Sequence, residues 1–207
     1  MADKEILIFV EGPSDKVFLE AYLYFLEDIP IKNFKVKDVT GKDNLSKRLL
    51  EIEKYDKTLI IFDADKDYES NKKEILSKTQ QKITEEQIFL FPNNQDDGDL
   101  ETLLLEIAKH DEFLKCFEGY LECIKSKEHY KPIKNISKSK WYAYLEVFEL
   151  QNFFKDKRNK NDKKNEEKII IDDKGKIRKE YKEEYEKLKE VIDFNSNSLI
   201  PLKDFLG

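Results

Sequence analysis

The chain has 207 residues, of which 40% are charged and 39% hydrophobic, and its net charge at pH 7 is −6. This length favours one domain, or one domain with a large extension, and the hydrophobic fraction excludes disorder throughout the chain. The negative net charge argues against a protein that coats nucleic acid through a dominant basic face, but it is compatible with one that binds phosphate through a bound cation. The sequence shows neither a membrane-spanning apolar run, which needs ~18 residues, nor a signal peptide, so we expect no membrane association and a cytoplasmic location.

The first half of the chain alternates short apolar runs with amphipathic segments. Buried strands are predicted at residues 6–10, 34–39, 59–62 and 88–91. The spacing of apolar residues between and after them predicts helices at residues 14–25, 45–52, 71–82 and 100–108. Four strands separated by helices of this length predict an α/β fold, with a parallel sheet of about four strands and right-handed crossovers.

The second half is predicted to be a helical C-terminal addition. Aromatic-rich helices are expected at residues 113–130 and 141–154. Residues 155–190 are dominated by Lys, Glu, Asp and Asn, which predicts a solvated, partly helical charged arm. Residues 191–206 are apolar enough to dock on the rest of the protein. We therefore divide the chain into an α/β domain at residues 1–110 and an addition at residues 111–207.

Acidic residues directly follow three of the four predicted strands. They are Glu11 and Asp15 after the first strand, Asp63, Asp65 and Asp67 after the third, and Asp96, Asp97, Asp99 and Glu101 after the fourth. The carboxyl ends of parallel strands share one edge of a sheet, and ligands bind at that edge. We therefore expect these three acidic clusters to meet in space.

Carboxylates gathered at one edge need compensation. Two like charges ~4 Å apart repel by about 4 kcal/mol at an effective dielectric near 20, so the cluster requires cations, raised pKa values or wide spacing. Mg²⁺ or Mn²⁺ is the expected solution, because hard cations prefer oxygen ligands. Asp63 and Asp65 are two positions apart on extended chain and can face one ion, and a second ion could be shared with Asp99 and Glu101.

Each cluster also has a purely structural interpretation. Ser14 and Asp15 can cap a helix, and the aspartates after the third strand can form a turn. Asp99 can be an N-cap, with Glu101 a first-turn acid that the helix dipole favours. The cation site is preferred because three independent caps need not all lie at the same edge of the sheet.

These motifs resemble a known family. A buried strand followed by Glu-Gly and a helix, with a later strand that ends in Asp-x-Asp, resembles the Toprim domain of topoisomerases, bacterial primases and the overcoming-lysogenization-defect nucleases. The Gly-Asp-Leu-Glu at residues 98–101 before a leucine-rich helix is more similar to small stand-alone Toprim proteins of unknown function. The resemblance covers residues 4–108 well and the tail at 193–205 moderately, and it does not cover the charged arm.

The resemblance implies roles for particular residues. It makes Glu11 the acid-base or metal-linked glutamate, and Asp63 and Asp65 the metal-binding pair. Similarity to the nuclease branch implies that Asp15, Asp99 and Glu101 help to hold a second metal. Asp67 would be a third acid that supports these ligands. The nuclease branch also places a lysine near the scissile phosphate; Lys138 and Lys140 are the candidates here, and Lys140 is preferred.

The sequence therefore predicts a Mg²⁺-dependent nuclease or related phosphotransferase that acts on nucleic-acid phosphodiesters by two-metal chemistry. The first alternative is a non-catalytic Toprim-like module that binds metal, nucleic acid or a partner protein such as a separate ATPase. The chain has no Gly-x-x-x-x-Gly-Lys loop, which argues against ATPase activity of its own. The second alternative is a phosphoacceptor that resembles response regulators, with Asp63 as the acceptor.

Overall fold

A computed structural model describes residues 5–26, 31, 33–131, 133–154 and 182–207. The apolar runs form four strands: β1 (Ile6–Val10), β2 (Phe34–Asp38), β3 (Lys57–Asp63) and β4 (Ile88–Phe91). The helices are α1 (Pro13–Phe25), α2 (Leu49–Ile52), α3 (Tyr68–Lys78), α4 (Leu100–Glu106), α5 (Asp111–Lys125), α6 (Ile136–Val147), α7 (Lys182–Val191) and α8 (Ile200–Leu206). No helix in these ranges is long and apolar enough to cross a membrane.

The four strands form one parallel sheet in the order β2-β1-β3-β4, which confirms the predicted α/β fold. Val10 at the end of β1 pairs with Asp38 of β2 and Ile61 of β3, and Asp63 at the end of β3 pairs with Phe91 of β4. All four carboxyl ends therefore lie at one edge, which we call the carboxyl edge. In the sheet β2 lies on one side of β1 and β3 lies on the other, so the direction of the chain's crossovers reverses at β1. The topological switch point therefore lies between β1 and β3.

The sheet is covered on both faces, which explains why its strands are apolar without interruption. Alternate strand residues, among them Ile8, Ile61 and Phe89, belong to a core cluster with α1 and the C-terminal helices. The intervening residues, among them Phe9 and Phe62, pack in a second cluster with α3 and the 3₁₀ helix that precedes α2. The two clusters make a three-layer arrangement with the sheet in the middle.

The C-terminal helices share the core of the α/β part. Trp141 of α6 is almost fully buried, and its ring stacks on Tyr144 at a centroid distance of 5.5 Å. The Tyr144 hydroxyl donates a hydrogen bond of 2.8 Å to the carbonyl of Val191, and Ile192 forms a bridge with Ala108. The apolar tail therefore packs on the body as its composition predicts.

Helix boundaries differ from the predicted ones where a local cap decides them. Helix α3 begins at Tyr68, three residues before the predicted start, because the Asp67 side chain accepts a hydrogen bond from the backbone of Ser70. Helix α6 begins at Ile136, after Asn135 takes a left-handed conformation with φ of 56°. Most of the predicted charged arm, residues 155–181, lies outside the described residues.

Candidate functional site at the carboxyl edge

Glu11 and Asp15 occupy the turn from β1 into α1. Pro13 is the first residue of α1, and the Asp15 side chain turns back so that its Oδ2 accepts a 2.7 Å hydrogen bond from the backbone N–H of Gly12. Asp15 is only 7% exposed. Asp15, one of the two predicted caps, therefore caps the start of α1 and places a buried carboxylate beside Glu11. Ser14, the other, lies within the helix, where its hydroxyl donates to the carbonyl of Phe154.

Asp63 lies at the end of β3, on the strand next to β1. Its Oδ1 accepts a 2.9 Å hydrogen bond from the backbone N–H of Leu100, the first residue of α4. Glu101, the next residue, is 7% exposed. The start of α4 therefore places a second buried carboxylate close to Asp63.

The loops after β3 and β4 are held together by the backbone. Asp65 and Gly98 exchange two backbone hydrogen bonds of 2.7 Å each. Gly98 has φ of +146°, and a Cβ there would lie 3.0 Å from Cδ of Pro92, so the close approach requires glycine.

Four carboxyl groups at the edge have raised pKa values, and burial is the largest cause for each. The pKa of Asp15 is raised to about 8, with Glu11 and Glu101 contributing and the Gly12 N–H opposing. Burial, followed by the charges of Asp15, Glu11 and Glu101, raises the pKa of Asp63 well above its usual range. Burial also raises the pKa values of Glu11 and Glu101. The four acids are therefore close enough to disfavour full ionisation.

A lysine that the sequence reasoning missed lies on the other side of Glu11. The ammonium of Lys42 hydrogen-bonds Asp65 and, at 2.8 Å, Oδ1 of Asn71, and it lies 3.8 Å from Oε2 of Glu11. It lowers the pKa of Glu11 against the larger effect of burial. The sequence carries a signal for this lysine, because Thr40-Gly41-Lys42 follows β2 at the same edge of the sheet.

A second lysine lies beside Glu101. The Nζ atom of Lys138 is 3.9 Å from Oε1 of Glu101 and lowers its pKa. Lys140, the preferred candidate from sequence, instead donates to Glu118 on α5. One turn beyond Lys138, the hydroxyl of Tyr142 is 3.4 Å from Oγ of Ser14, so this face of α6 lies over the start of α1.

Three other predicted acids lie differently. Asp65 is 56% exposed in its side chain and is paired with Lys42. Asp67 is exposed and caps α3, and Asp99 caps α4 through hydrogen bonds to the backbone N–H of Thr102, 2.8 Å away, and to its hydroxyl. Asp67 and Asp99 therefore both act as helix caps, as the structural interpretation expects. The role of Asp99 as a metal ligand and that of Asp67 as a group supporting the ligands stay predictions.

The donor chemistry of the edge suits a hard divalent cation. Every candidate ligand is a carboxylate oxygen, and the buried Oε2 of Glu11 accepts no hydrogen bond from any residue that the structure describes. Across the described ranges, however, no three His, Cys, Asp or Glu side chains are arranged as a metal-holding group. An ion shared by the four acids therefore requires their side chains to move toward one another.

An open cavity of about 480 Å³ lies next to these loops. It is lined by residues after β3 and β4, including Lys66, Asp67, Tyr68 and Asn94. The Tyr68 hydroxyl is 3.3 Å from the Asn94 side chain at its wall. The cavity shares Asp67 with the predicted site, and none of Glu11, Asp15, Asp63 and Glu101 lines it.

Comparison with curated proteins gave no match. Comparison with solved structures also gave none. The family model of DUF3226, described as a protein of unknown function, matches residues 5–206 and so spans both the α/β part and the C-terminal helices. The chain therefore belongs to the DUF3226 family.

Proposed function

We propose that this protein is a Mg²⁺- or Mn²⁺-dependent nuclease, or a related phosphotransferase, with a Toprim-like site that acts on nucleic-acid phosphodiesters. The observation that carries the proposal is the group formed by Glu11, Asp15, Asp63 and Glu101 at the switch point of the sheet. Burial, with the charges of neighbouring acids adding to it, raises the pKa values of all four carboxyl groups, so ionising them together is unfavourable without a cation. A divalent cation supplied from solution would complete it.

The Toprim resemblance gains support from the strand order. Glu11 follows β1 and Asp63 ends β3, and these strands are neighbours in the sheet. The glutamate and the first aspartate of the Asp-x-Asp motif therefore lie side by side, although 52 positions separate them in the sequence. Open α/β sheets bind ligands at such a switch point.

In this proposal the chain supplies the ligands and the positioning groups. Glu11, Asp63 and Asp65 would hold one cation where β1 and β3 end. Asp15 and Glu101, together with Asp99, would hold a second from the starts of α1 and α4. Two divalent cations at such a site activate water and stabilise both the attacking and the leaving oxygen of a phosphodiester. Glu11, whose pKa is raised by burial, is placed to accept or return a proton.

The face of α6 that carries Lys138 and Tyr142 supports a nucleic-acid substrate. Lys138 is 57% exposed in its side chain while its ammonium lies near Glu101, so it can reach a phosphate that approaches the acids. Tyr142, one turn later, is partly buried over Ser14. A lysine next to an aromatic ring is typical of surfaces that bind single strands through phosphate contacts and base stacking.

The test is cleavage of end-labelled single- and double-stranded DNA and RNA with Mg²⁺, with Mn²⁺ and with chelator. We expect metal-dependent cleavage by the wild-type chain and none by the Asp63→Asn, Asp65→Asn double variant. Asp111→Asn is the matched control, because Asp111 pairs with Lys115 on the surface of α5. Unchanged cleavage by the double variant would contradict the assignment.

One observation favours a second candidate, a non-catalytic module that binds metal, nucleic acid or a partner protein such as a separate ATPase. In the described part of the chain, no three acids are arranged around a metal position, and Asp67 and Asp99 serve as helix caps. For this candidate we expect saturable binding of Mg²⁺ or of a labelled oligonucleotide without any cleavage of it.

A further inference from the structure

The loop after β2 brings a lysine into the carboxyl edge at a conformational cost. Thr40 has φ of 59°, a left-handed conformation that is rare for a β-branched residue, and Gly41 follows with φ of 98°. The backbone N–H of Gly41 donates a 2.9 Å hydrogen bond to the carbonyl of Glu11. The loop is thereby tied to the residue that follows β1, and Lys42 is directed along the edge.

The ammonium of Lys42 lies among groups that are arranged to receive it. Its side chain is 12% exposed, and its partners are Asp65, Asn71 and, at 3.8 Å, Glu11. The Asn71 amide nitrogen donates to the carbonyls of Ala64 and Asp67, which fixes its oxygen toward Lys42. Lys138, the other lysine beside these acids, is 57% exposed and therefore much better solvated.

We propose that Lys42 is a built-in counter-cation, which holds Glu11 and Asp65 while the site is metal-free and leaves them when a divalent cation binds. This inference rests on the proposed metal site and adds a determinant of its affinity. Lys42 acts through the two carboxylates, so it is a positioning residue.

The two cations compete for the same oxygens. Mg²⁺ binds carboxylate oxygens at roughly 2.0–2.1 Å, so an ion held by Glu11 and Asp65 would lie close to the present position of the ammonium. Like charges at that distance in a partly buried site repel strongly. The lysine chain is flexible, which allows the ammonium to withdraw into solvent without displacing the loop backbone.

Calorimetric titration of the full chain with Mg²⁺ and with Mn²⁺ tests the competition. We expect Lys42→Met to bind the cation more tightly, on the order of tenfold, a typical size for coupling between two ligands. Lys42→Arg retains the charge and should stay close to wild type. Lys82→Met is the matched control, because it removes a lysine that pairs with Glu53 away from the acids. Equal or weaker binding by Lys42→Met would overturn the inference.

A measurement on the wild-type chain decides the question if Lys42→Met does not fold. Acetylation of lysines followed by peptide mass spectrometry reports the accessibility of each amine. We expect the reactivity of Lys42 to rise when Mg²⁺ is added and that of Lys82 to stay constant, and an unchanged Lys42 would overturn the inference.

The outcomes separate this inference from the proposed function. Tighter binding by Lys42→Met without any cleavage supports the counter-cation and contradicts the nuclease. Metal-dependent cleavage with no gain in affinity contradicts the counter-cation alone. Absence of binding by both chains contradicts the metal site and, with it, the inference.

Discussion

The side chain of Asp63 accepts a 2.9 Å hydrogen bond from the backbone N–H of Leu100, 37 positions later in the chain. This contact joins the end of β3 to the first turn of α4. It holds Asp63 and Glu101 close together. The hydrogen bond favours the ionised form of Asp63, but burial and three neighbouring acids outweigh it and raise the pKa of Asp63.

The first prediction is that Asp63→Asn stabilises the metal-free protein at pH 8. The amide oxygen can still accept the Leu100 hydrogen bond, and the substitution removes a charge that burial and like charges disfavour. We expect a higher melting temperature; in a chain of this size 1 kcal/mol corresponds to about 2–4 °C. Thermal melts with chelator measure it, with Asp111→Asn as control, and a lower melting temperature would contradict the account.

The second prediction concerns pH. The folded pKa of Asp15, about 8, is above its ordinary value of 3.8, so between these values the folded state keeps a proton that the unfolded chain has released. The stability from that proton is fully present below about pH 4 and is lost as the pH rises through 8. We expect the free energy of unfolding of metal-free protein, from urea titrations, to fall between pH 5 and 8, and to fall less steeply in Asp15→Asn.

Glu20 provides the control for this measurement. It is buried on α1, its pKa is also raised to about 8, and its Oε2 has no hydrogen-bond partner among the described residues. Glu20→Gln should therefore flatten the profile as well, but saturating Mg²⁺ should remove only the part that Asp15 contributes. A profile that Asp15→Asn leaves unchanged would show that the edge carboxylate is not the source.

How far the sequence predicts this protein depends on the kind of feature. The limits of β1 and β4 were predicted to the residue, because a continuous apolar run bounded by polar residues has one interpretation in a covered parallel sheet. The meeting of Glu11 with Asp63 followed from the rule that strand carboxyl ends share an edge. These predictions needed only local pattern and topology.

The roles of individual side chains at the edge were harder to predict. Lys138 and Lys140 are on one helix, and only the packing of α6 decides that the first lies near Glu101 and the second near Glu118. The contact of Lys42 with Asp65 depends on left-handed backbone conformations at Thr40 and at Asp65, which lie in two separate loops. No local sequence pattern predicts these conformations.

The third prediction separates capping from metal binding at Asp67. Asp67→Ala should lower the free energy of unfolding by about 1 kcal/mol, because the backbone N–H of Ser70 loses its acceptor. Asp67→Ser retains a cap and should recover most of that loss. If capping is the function of Asp67, both variants bind Mg²⁺ as wild type does, and a loss of affinity in Asp67→Ser would instead indicate that the carboxylate supports the site.

The fourth prediction distinguishes the two lysines of α6. Lys138→Met should reduce cleavage on the order of 10²-fold, the cost typical of removing one group that stabilises developing charge. Lys140→Met should leave cleavage close to wild type, because Lys140 pairs with Glu118 on α5. Single-turnover rates of the two variants measure the difference, and the reverse order would restore Lys140 as the lysine near the phosphate.

The most direct test of the central claim is calorimetric titration of the metal-free full chain with Mg²⁺ and with Mn²⁺, repeated with Asp63→Asn and with the surface control Asp111→Asn. We expect saturable binding to the wild-type chain and to Asp111→Asn, and no binding to Asp63→Asn. Equal binding by Asp63→Asn, or no binding by the wild-type chain, would contradict the claim that the carboxylates at the junction of β1 and β3 form a divalent cation site.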